Sequence, residues 1–128
     1  MTEVVLDASA IIAFLRMEPG AEKVETILQR SCISAVNLAE VFGKMVEHGK
    51  QLEQVVYNVE RLRILVIPFD EEQARIAASL WAATRAVGMS LGDRACLALA
   101  LSRKLPAMTA EREAWGKVDV GVKIIKIR

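Results

Sequence analysis

The segment at residues 90–101 constrains the fold most, because its sequence, SLGDRACLALAL, predicts a helix that is apolar on almost every side. A helix of that kind is buried, so other elements have to cover it all round. Ser90 is a good N-cap, and Asp93 stands three residues on, where a capping box places its acid. Asp93 and Arg94 are the only charged residues of the segment. Asp93 therefore either serves the helix dipole alone or takes part in a site at the helix start.

Short β-branched runs alternate with helical patterns along the rest of the chain. Strands are predicted at residues 4–6, 31–33, 64–68 and 105–109 and within 118–127. Helices are predicted at residues 8–15, 21–30, 35–47, 51–63 and 71–87, and another from about residue 110. This alternation predicts a three-layer α/β/α domain on a mostly parallel sheet. A chain of 128 residues indicates one domain, residues 1–128.

Composition excludes several classes of protein. The formal net charge of +1 gives no general attraction to nucleic acid, and two cysteines, Cys32 and Cys96, do not form a disulfide framework. We expect a cytoplasmic protein with no signal peptide and no membrane span. His48 is the only histidine, which excludes a histidine-rich zinc site and a Ser/His/Asp or Cys/His nucleophile. No glycine-rich phosphate loop follows the first predicted strand.

Four acidic residues stand at or near helix starts that follow a strand or loop: Asp7, Glu40, Asp93 and Glu111. In a parallel α/β fold, such helix starts gather at one edge of the sheet. Two carboxylates about 6 Å apart repel each other by roughly 3 kcal/mol at an effective dielectric of about 20, so such acids protonate, stay apart or bind a cation. Oxygen ligands select Mg²⁺ or Mn²⁺, which activates water and stabilises charge on a phosphodiester. The plainer alternatives are that Asp7 is an N-cap and Glu40 an exposed acid.

Four blocks of the chain resemble the conserved blocks of PIN-domain ribonucleases, in particular the VapC toxins of prokaryotic toxin–antitoxin pairs. The blocks are VLDASA at 5–10, SAVNLAEV at 34–41, SLGDRACLALA at 90–100 and TAE at 109–111, and they span nearly the whole chain in the family's order. The resemblance implies a Mg²⁺- or Mn²⁺-dependent endoribonuclease, a homodimer, and inhibition by a VapB-type antitoxin. It also implies that Asp7, Glu40 and Asp93 are the catalytic, metal-binding acids, with Glu111 as the fourth.

The fourth block departs from the family's usual Thr-Ala-Asp, because this chain has Glu111 there and Glu113 close by. If the following helix begins at about Ala110, these two glutamates are about 200° apart around it, and only one of them faces the metal. Counting from Thr109 favours Glu111, whereas counting back from Trp115 favours Glu113. We expect Glu111, in contact with the metal through a water because its side chain is one methylene longer than aspartate.

The resemblance also gives roles to uncharged residues. It implies that three residues are polar groups supporting the metal: Ser9, Asn37 and Thr109. Because the net charge is near zero, RNA affinity has to come from local cations, and the candidates nearest to the acids in sequence are Arg16, Arg94 and Arg112. The apolar faces of two successive helices predict a surface between subunits: Phe42, Met45 and Val46 on one, and Val55, Val56 and Val59 on the next.

Two other functions remain open at this point. One is a PIN fold with weak catalysis that only binds a partner. The other is a phosphoacceptor receiver module, with Asp70 as the accepting aspartate and Lys104 as its lysine. A receiver needs paired acids after the first strand, where Asp7 stands alone, and it has no use for Glu40 within a helix.

Overall fold

The computed structural model describes all residues, 1–128. Five short strands form one sheet: β1 Val4–Leu6, β2 Ser31–Ser34, β3 Leu65–Ile67, β4 Ala107–Thr109 and β5 Ile124–Lys126. Their order is β3-β2-β1-β4-β5, and every neighbouring pair is parallel. The central strand β1 therefore pairs on one side with β2 and on the other with β4, where Val5 lies opposite Ala107 and Leu6 opposite Met108. The predicted parallel α/β fold is confirmed.

Eight helices flank the sheet: α1 Ala8–Leu15, α2 Ala21–Glu25, α3 Ala35–Glu47, α4 Leu52–Glu60, α5 Glu71–Ser79, α6 Trp81–Arg85, α7 Leu91–Arg103 and α8 Glu113–Lys117. The sheet separates two apolar cores, because alternate residues of a strand point to opposite faces. Val4 and Leu6 contribute to the core under α1 to α4, whereas Val5 contributes to the core that contains α7. The predicted three layers follow from this division. No helix of the structure combines the length and apolar character that crossing a membrane requires.

Helix α7 is buried, as its sequence predicts. It packs against α5 on one side and against β1, β2 and β4 on the other, and residues 94–100 are all buried. Its start is closed by a reciprocal capping box. The Asp93 amide donates to Ser90 Oγ at 3.2 Å, and the Ser90 amide donates to Asp93 Oδ2 at 3.0 Å. The capping box fixes the position of Asp93 at one end of a helix that the core holds still.

Three predicted helices differ from those observed. The helix predicted over 21–30 ends at Glu25, and a separate 3₁₀ turn follows at Leu28–Arg30. The helix predicted over 71–87 divides into α5 and α6 at Leu80, whose amide bonds the Ala77 carbonyl only three residues back and tightens the turn. The helix predicted from about residue 110 begins only at Glu113. Residues 110–112 precede the helix, and hydroxyl groups of α1 and β4 bind the Ala110 and Glu111 amides, as described below.

The apolar faces predicted to lie between subunits are partly internal. Met45, Val55 and Val59 are buried within the chain's own core, so that part of the prediction is wrong. Phe42 and Val56 are half-buried and line an apolar groove, and Val46 is exposed. A surface formed by this pair of helices is therefore limited to their outer residues.

Candidate active site

The four predicted acids meet at one pocket of about 440 Å³ beyond the carboxyl ends of β1 and β4. Asp7 follows β1, Glu40 projects from α3, Asp93 lies in the first turn of α7, and Glu111 follows β4. Gathering these positions is a direct consequence of the parallel sheet, which brings strand ends and helix starts to one edge. Ser9, Asn37 and Glu113 also line the pocket. The arrangement concentrates negative charge in a small volume.

Asp7 is the most buried of these acids, with only 3% of its surface exposed. Its Oδ1 accepts hydrogen bonds from the Ser9 hydroxyl at 2.8 Å and the Ala10 amide at 2.9 Å, and its Oδ2 accepts from the Thr109 hydroxyl at 2.6 Å. Burial nevertheless raises the pKa of Asp7 to about 7 from its ordinary 3.8, because desolvation outweighs these bonds and the charge of Asp93 adds to it. Asp7 is thus both the N-cap of α1 and a pocket acid whose ionised form is disfavoured by burial.

Ser9 and Thr109 connect the start of α1 to the end of β4. Their hydroxyl oxygens are 3.1 Å apart, Ser9 Oγ accepts from the Ala110 amide at 2.9 Å, and Thr109 Oγ1 accepts from the Glu111 amide at 3.0 Å. These bonds satisfy the amides of residues 110–111 and tie the segment before α8 to the start of α1. Two of the three predicted supporting residues therefore contact an acid or the segment that carries one.

The third supporting residue, Asn37, lies between α3 and α7. Its Nδ2 donates to Glu40 Oε1 at 2.8 Å and to the Gly92 carbonyl at 2.9 Å, and the residue is only 1% exposed. Its Oδ1 has no partner, and neither has Nε1 of Trp115, although both residues line the pocket. An unpaired buried acceptor and donor at one pocket indicate that it normally contains a further polar group.

Both candidates for the fourth acid line the pocket. The expectation that only one of Glu111 and Glu113 faces it is wrong, because it assumed a helix through both residues. Glu111 lies in the non-helical segment before α8, and Glu113 is the first residue of that helix. The rotation of a helix therefore does not separate them.

The predicted RNA-contacting arginines do not line the pocket. Arg16 lies 3.6 Å from the Glu18 carboxylate, and Arg112 donates to the backbone carbonyl of the last residue. Arg94 is only 8% exposed, and its guanidinium lies 4.6 Å from the centre of the Trp81 ring. Arg94 is thereby committed to packing within the chain, contrary to its predicted place on an RNA-binding surface.

Lys44 is the basic side chain that does line the pocket, and the sequence analysis missed it. It stands four residues after Glu40 on α3, a spacing that places two side chains on the same face of a helix. Its Nζ lies 3.4 Å from Glu47, at an exposed position. The spacing from Glu40 was the signal that would have identified it.

The donor set fits a hard divalent cation by its chemistry, since carboxylates and one amide oxygen surround the pocket. No three acidic, histidine or cysteine side chains are placed to share one ion directly. The acids that would hold an ion therefore line the same pocket, but no three of them are close enough together to bind one ion directly. Asp70 and Lys104, on which the receiver alternative depends, do not line this pocket, and Asp70 instead caps α5 through the Gln73 amide at 2.9 Å.

Comparison with known proteins supports this description of the fold. The chain is similar to a toxin–antitoxin complex from Klebsiella pneumoniae, with 16% identity, a TM-score of 0.77 and 98% of each chain covered. It is similar to DNA-bound VapBC from Salmonella typhimurium, with 21% identity, a TM-score of 0.76 and full coverage of both chains. FitAcB from Neisseria gonorrhoeae shares 25% identity, a TM-score of 0.65 and 97% of each chain. No curated protein sequence matches the chain.

The family comparison is more direct. The PIN domain family profile matches residues 4–120, which include all the acids that line the pocket and both of the hydroxyl groups that hold Asp7. The match therefore covers every part of the pocket described above, as well as all but the last strand of the sheet. It excludes the receiver module and confirms the resemblance drawn from the four sequence blocks. This chain belongs to the PIN domain family.

Proposed function

We propose that this chain is a Mg²⁺- or Mn²⁺-dependent endoribonuclease that serves as the toxin of a toxin–antitoxin pair. The observation that carries the proposal is the meeting of four acids from distant parts of a PIN-domain chain at one pocket: Asp7, Glu40, Asp93 and Glu111. A pocket with so much carboxylate repels a phosphodiester unless a cation offsets the charge. The raised pKa of Asp7 supports the same conclusion, because a bound cation would offset the burial and the Asp93 charge that disfavour the Asp7 anion.

The residues divide the work of such a reaction. A bound divalent ion supplies an activated water and stabilises negative charge on the phosphodiester. Asp7, Glu40 and Asp93 would hold it, with Glu111 or Glu113 at the rim. Ser9 and Thr109 keep the Asp7 carboxylate in one orientation, and Asn37 does the same for Glu40. Lys44 is placed to attract a phosphate of the RNA backbone into the pocket.

The proposed partners follow from the similar structures and from one apolar groove. Two of those structures are a toxin–antitoxin complex and a DNA-bound VapBC. The groove, of about 340 Å³, lies between α1, α3, α4 and the edge strand β3, and eight of its nine lining residues are hydrophobic. We assign it to a VapB-type antitoxin. The exposed Trp81 and Leu91 supply apolar surface for a homodimer. The two buried free cysteines are consistent with action in the cytoplasm.

The test of the catalytic proposal uses the purified chain, single-stranded RNA, and added Mg²⁺ or Mn²⁺ with EDTA as the control. We expect cleavage that requires the ion and that Asp93→Asn abolishes while the circular dichroism spectrum is retained. Retained cleavage in that variant would refute the assignment of the site. A chain that binds the ion but never cleaves RNA would instead support the alternative of a PIN fold that only binds a partner.

The partner proposals have separate tests. Expression with and without the product of the adjacent upstream reading frame, scoring growth and RNA integrity, tests the antitoxin. We expect growth arrest only when that product is absent. Light scattering of the isolated chain at micromolar concentration tests the homodimer, and a monomer mass would count against it.

A further inference from the structure

Gly92, in the first turn of α7, lies directly against the carboxylate of Glu40 on α3. A Cβ atom at Gly92 would stand 2.5 Å from Glu40 Oε1 and 2.6 Å from Cδ, and it would overlap Oε2 as well. Real Cβ atoms essentially never approach another atom closer than 3.0 Å. Any other residue at this position therefore requires Glu40 to move.

Asn37 holds both Glu40 and Gly92 in this contact. The Asn37 side chain donates one hydrogen bond to Glu40 Oε1 and another to the Gly92 carbonyl, at 2.8 and 2.9 Å. The amide thus ties the carboxylate of one helix to the backbone of the other. Asp93, the next residue of α7, lines the same pocket as Glu40. Because Gly92 has no side chain, the Glu40 carboxylate can lie against the turn of α7 that carries Asp93.

Backbone geometry does not account for this glycine. Gly92 is absent from the glycines with positive φ, so its conformation is open to any residue. Glycine within a helix is also less favourable than alanine. Gly43 on α3 is another helical glycine of the chain, and a Cβ there would meet nothing within 4 Å. At Gly92, by contrast, the three atoms nearest to such a Cβ all belong to the Glu40 carboxylate.

We propose that Gly92 is a positioning residue, whose lack of a side chain lets the Glu40 carboxylate rest on the first turn of α7 beside Asp93. This inference rests on the proposed function, in which both acids hold a divalent ion. Glu40 is exposed at the pocket rim and its carboxylate is the far end of a flexible side chain. A methyl group at residue 92 would consequently turn Glu40 away without disrupting the fold.

The experiment measures Mn²⁺ affinity by isothermal titration calorimetry and stability by thermal melting, with Gly43→Ala as the matched control. We expect Gly92→Ala to weaken Mn²⁺ binding about 10- to 100-fold, the range typical of residues that orient a ligand. Its melting temperature should be equal to or above that of the parent, since alanine favours the helix. Gly43→Ala should raise the melting temperature and leave Mn²⁺ affinity within about twofold.

A double variant separates positioning from packing. In Glu40→Ala the carboxylate is gone, so adding Gly92→Ala should leave Mn²⁺ affinity unchanged and should melt no earlier. An equal loss of affinity in both backgrounds, or parental Mn²⁺ affinity in Gly92→Ala alone, would overturn the inference while the proposed function stands. Absence of Mn²⁺ binding in the parent would overturn the proposed function, and this inference with it.

Discussion

Asp7 and Glu40 line the same pocket, but their carboxylates are held in different ways. The Asp7 side, formed by Asp7, Ser9 and Thr109, is buried and supplies hydrogen-bond donors to both carboxylate oxygens. The Glu40 side, formed by Glu40, Asn37 and Gly92, has an exposed carboxylate that receives a single side-chain donor. The Asp7 carboxylate is fixed by hydrogen bonds to both of its oxygens. The Glu40 carboxylate instead depends on the space that the missing side chain of Gly92 leaves. The comparison teaches that one pocket can combine a fixed acid with an adjustable one.

The largest expected effect is on cleavage, and it differs between the two sides. Asp7→Asn should lower the rate at least about 1,000-fold, because it removes the charge of a buried carboxylate proposed to hold the ion. Glu40→Gln should lower it about 10- to 100-fold, since solvent can supply a substitute oxygen at an exposed position. Single-turnover RNA cleavage at saturating Mn²⁺ measures both. Equal losses in the two variants would remove the distinction between the sides.

The second effect is on stability against pH, and only the Asp7 side should produce it. The folded pKa of about 7 lies above the unfolded 3.8, so the folded chain binds this proton more tightly. Both states carry the proton below about pH 4, so the free energy of unfolding falls as the pH rises from about 4 to about 7 and levels off above that. The two pKa values correspond to as much as about 4 kcal/mol.

Urea unfolding at pH 5 and pH 8 in EDTA measures this effect as the difference between the parent and Asp7→Asn. The variant should be the more stable of the two at pH 8 and should lose that advantage at acid pH. Glu40→Gln serves as the control and should keep the parental pH dependence, because Asp7 is still present. If the difference in free energy of unfolding between the parent and Asp7→Asn is the same at pH 5 and pH 8, burial does not raise the pKa of Asp7.

A smaller effect concerns the hydroxyl groups that support Asp7. Thr109→Val keeps the shape of the side chain but removes the donor to Asp7 and the acceptor for the Glu111 amide. We expect a loss of about 1–3 kcal/mol in the free energy of unfolding. The matched change Thr26→Val, at an exposed residue, should stay within about 0.5 kcal/mol. Comparable losses at both positions would show that the buried network adds nothing.

The smallest effect distinguishes the two glutamates at the rim. Glu111→Gln should raise the Mn²⁺ concentration needed for half-maximal cleavage about threefold, because both glutamates are exposed and act through solvent. Glu113→Gln should have less effect, because no buried group holds its backbone as Thr109 holds that of Glu111. If only Glu113→Gln changes the Mn²⁺ requirement, Glu113 is the fourth acid.

Local patterns in the sequence predicted much of this arrangement. Ser90 and Asp93 form the capping box that their spacing indicates, and the alternation of strands and helices predicts the parallel sheet. The parallel sheet in turn brings together Asp7, Glu40, Asp93 and Glu111 at one edge. Each of these inferences needs only neighbouring residues and a general rule of topology.

What the sequence analysis missed depends on contacts between distant residues. The Ser9 hydroxyl binds the Ala110 amide 101 residues away, and this contact joins α1 to the segment before α8. The space that Gly92 leaves for Glu40 is visible only when α3 and α7 are placed together. Arg94 was predicted to contact RNA because its contact with the Trp81 ring joins two different helices and is not visible in the sequence. No local window carries this information.

The bond between Asp7 and Thr109 has a consequence for how the protein is made. The two residues are 102 positions apart, so the pocket closes only after nearly the whole chain exists. At about 5–20 residues per second, the ribosome produces Thr109 about 5–20 s after Asp7. Pairing of β1 with β4 must also wait for that segment to leave the exit tunnel. Under the proposed function, the nascent chain therefore cannot assemble its site until synthesis is almost finished.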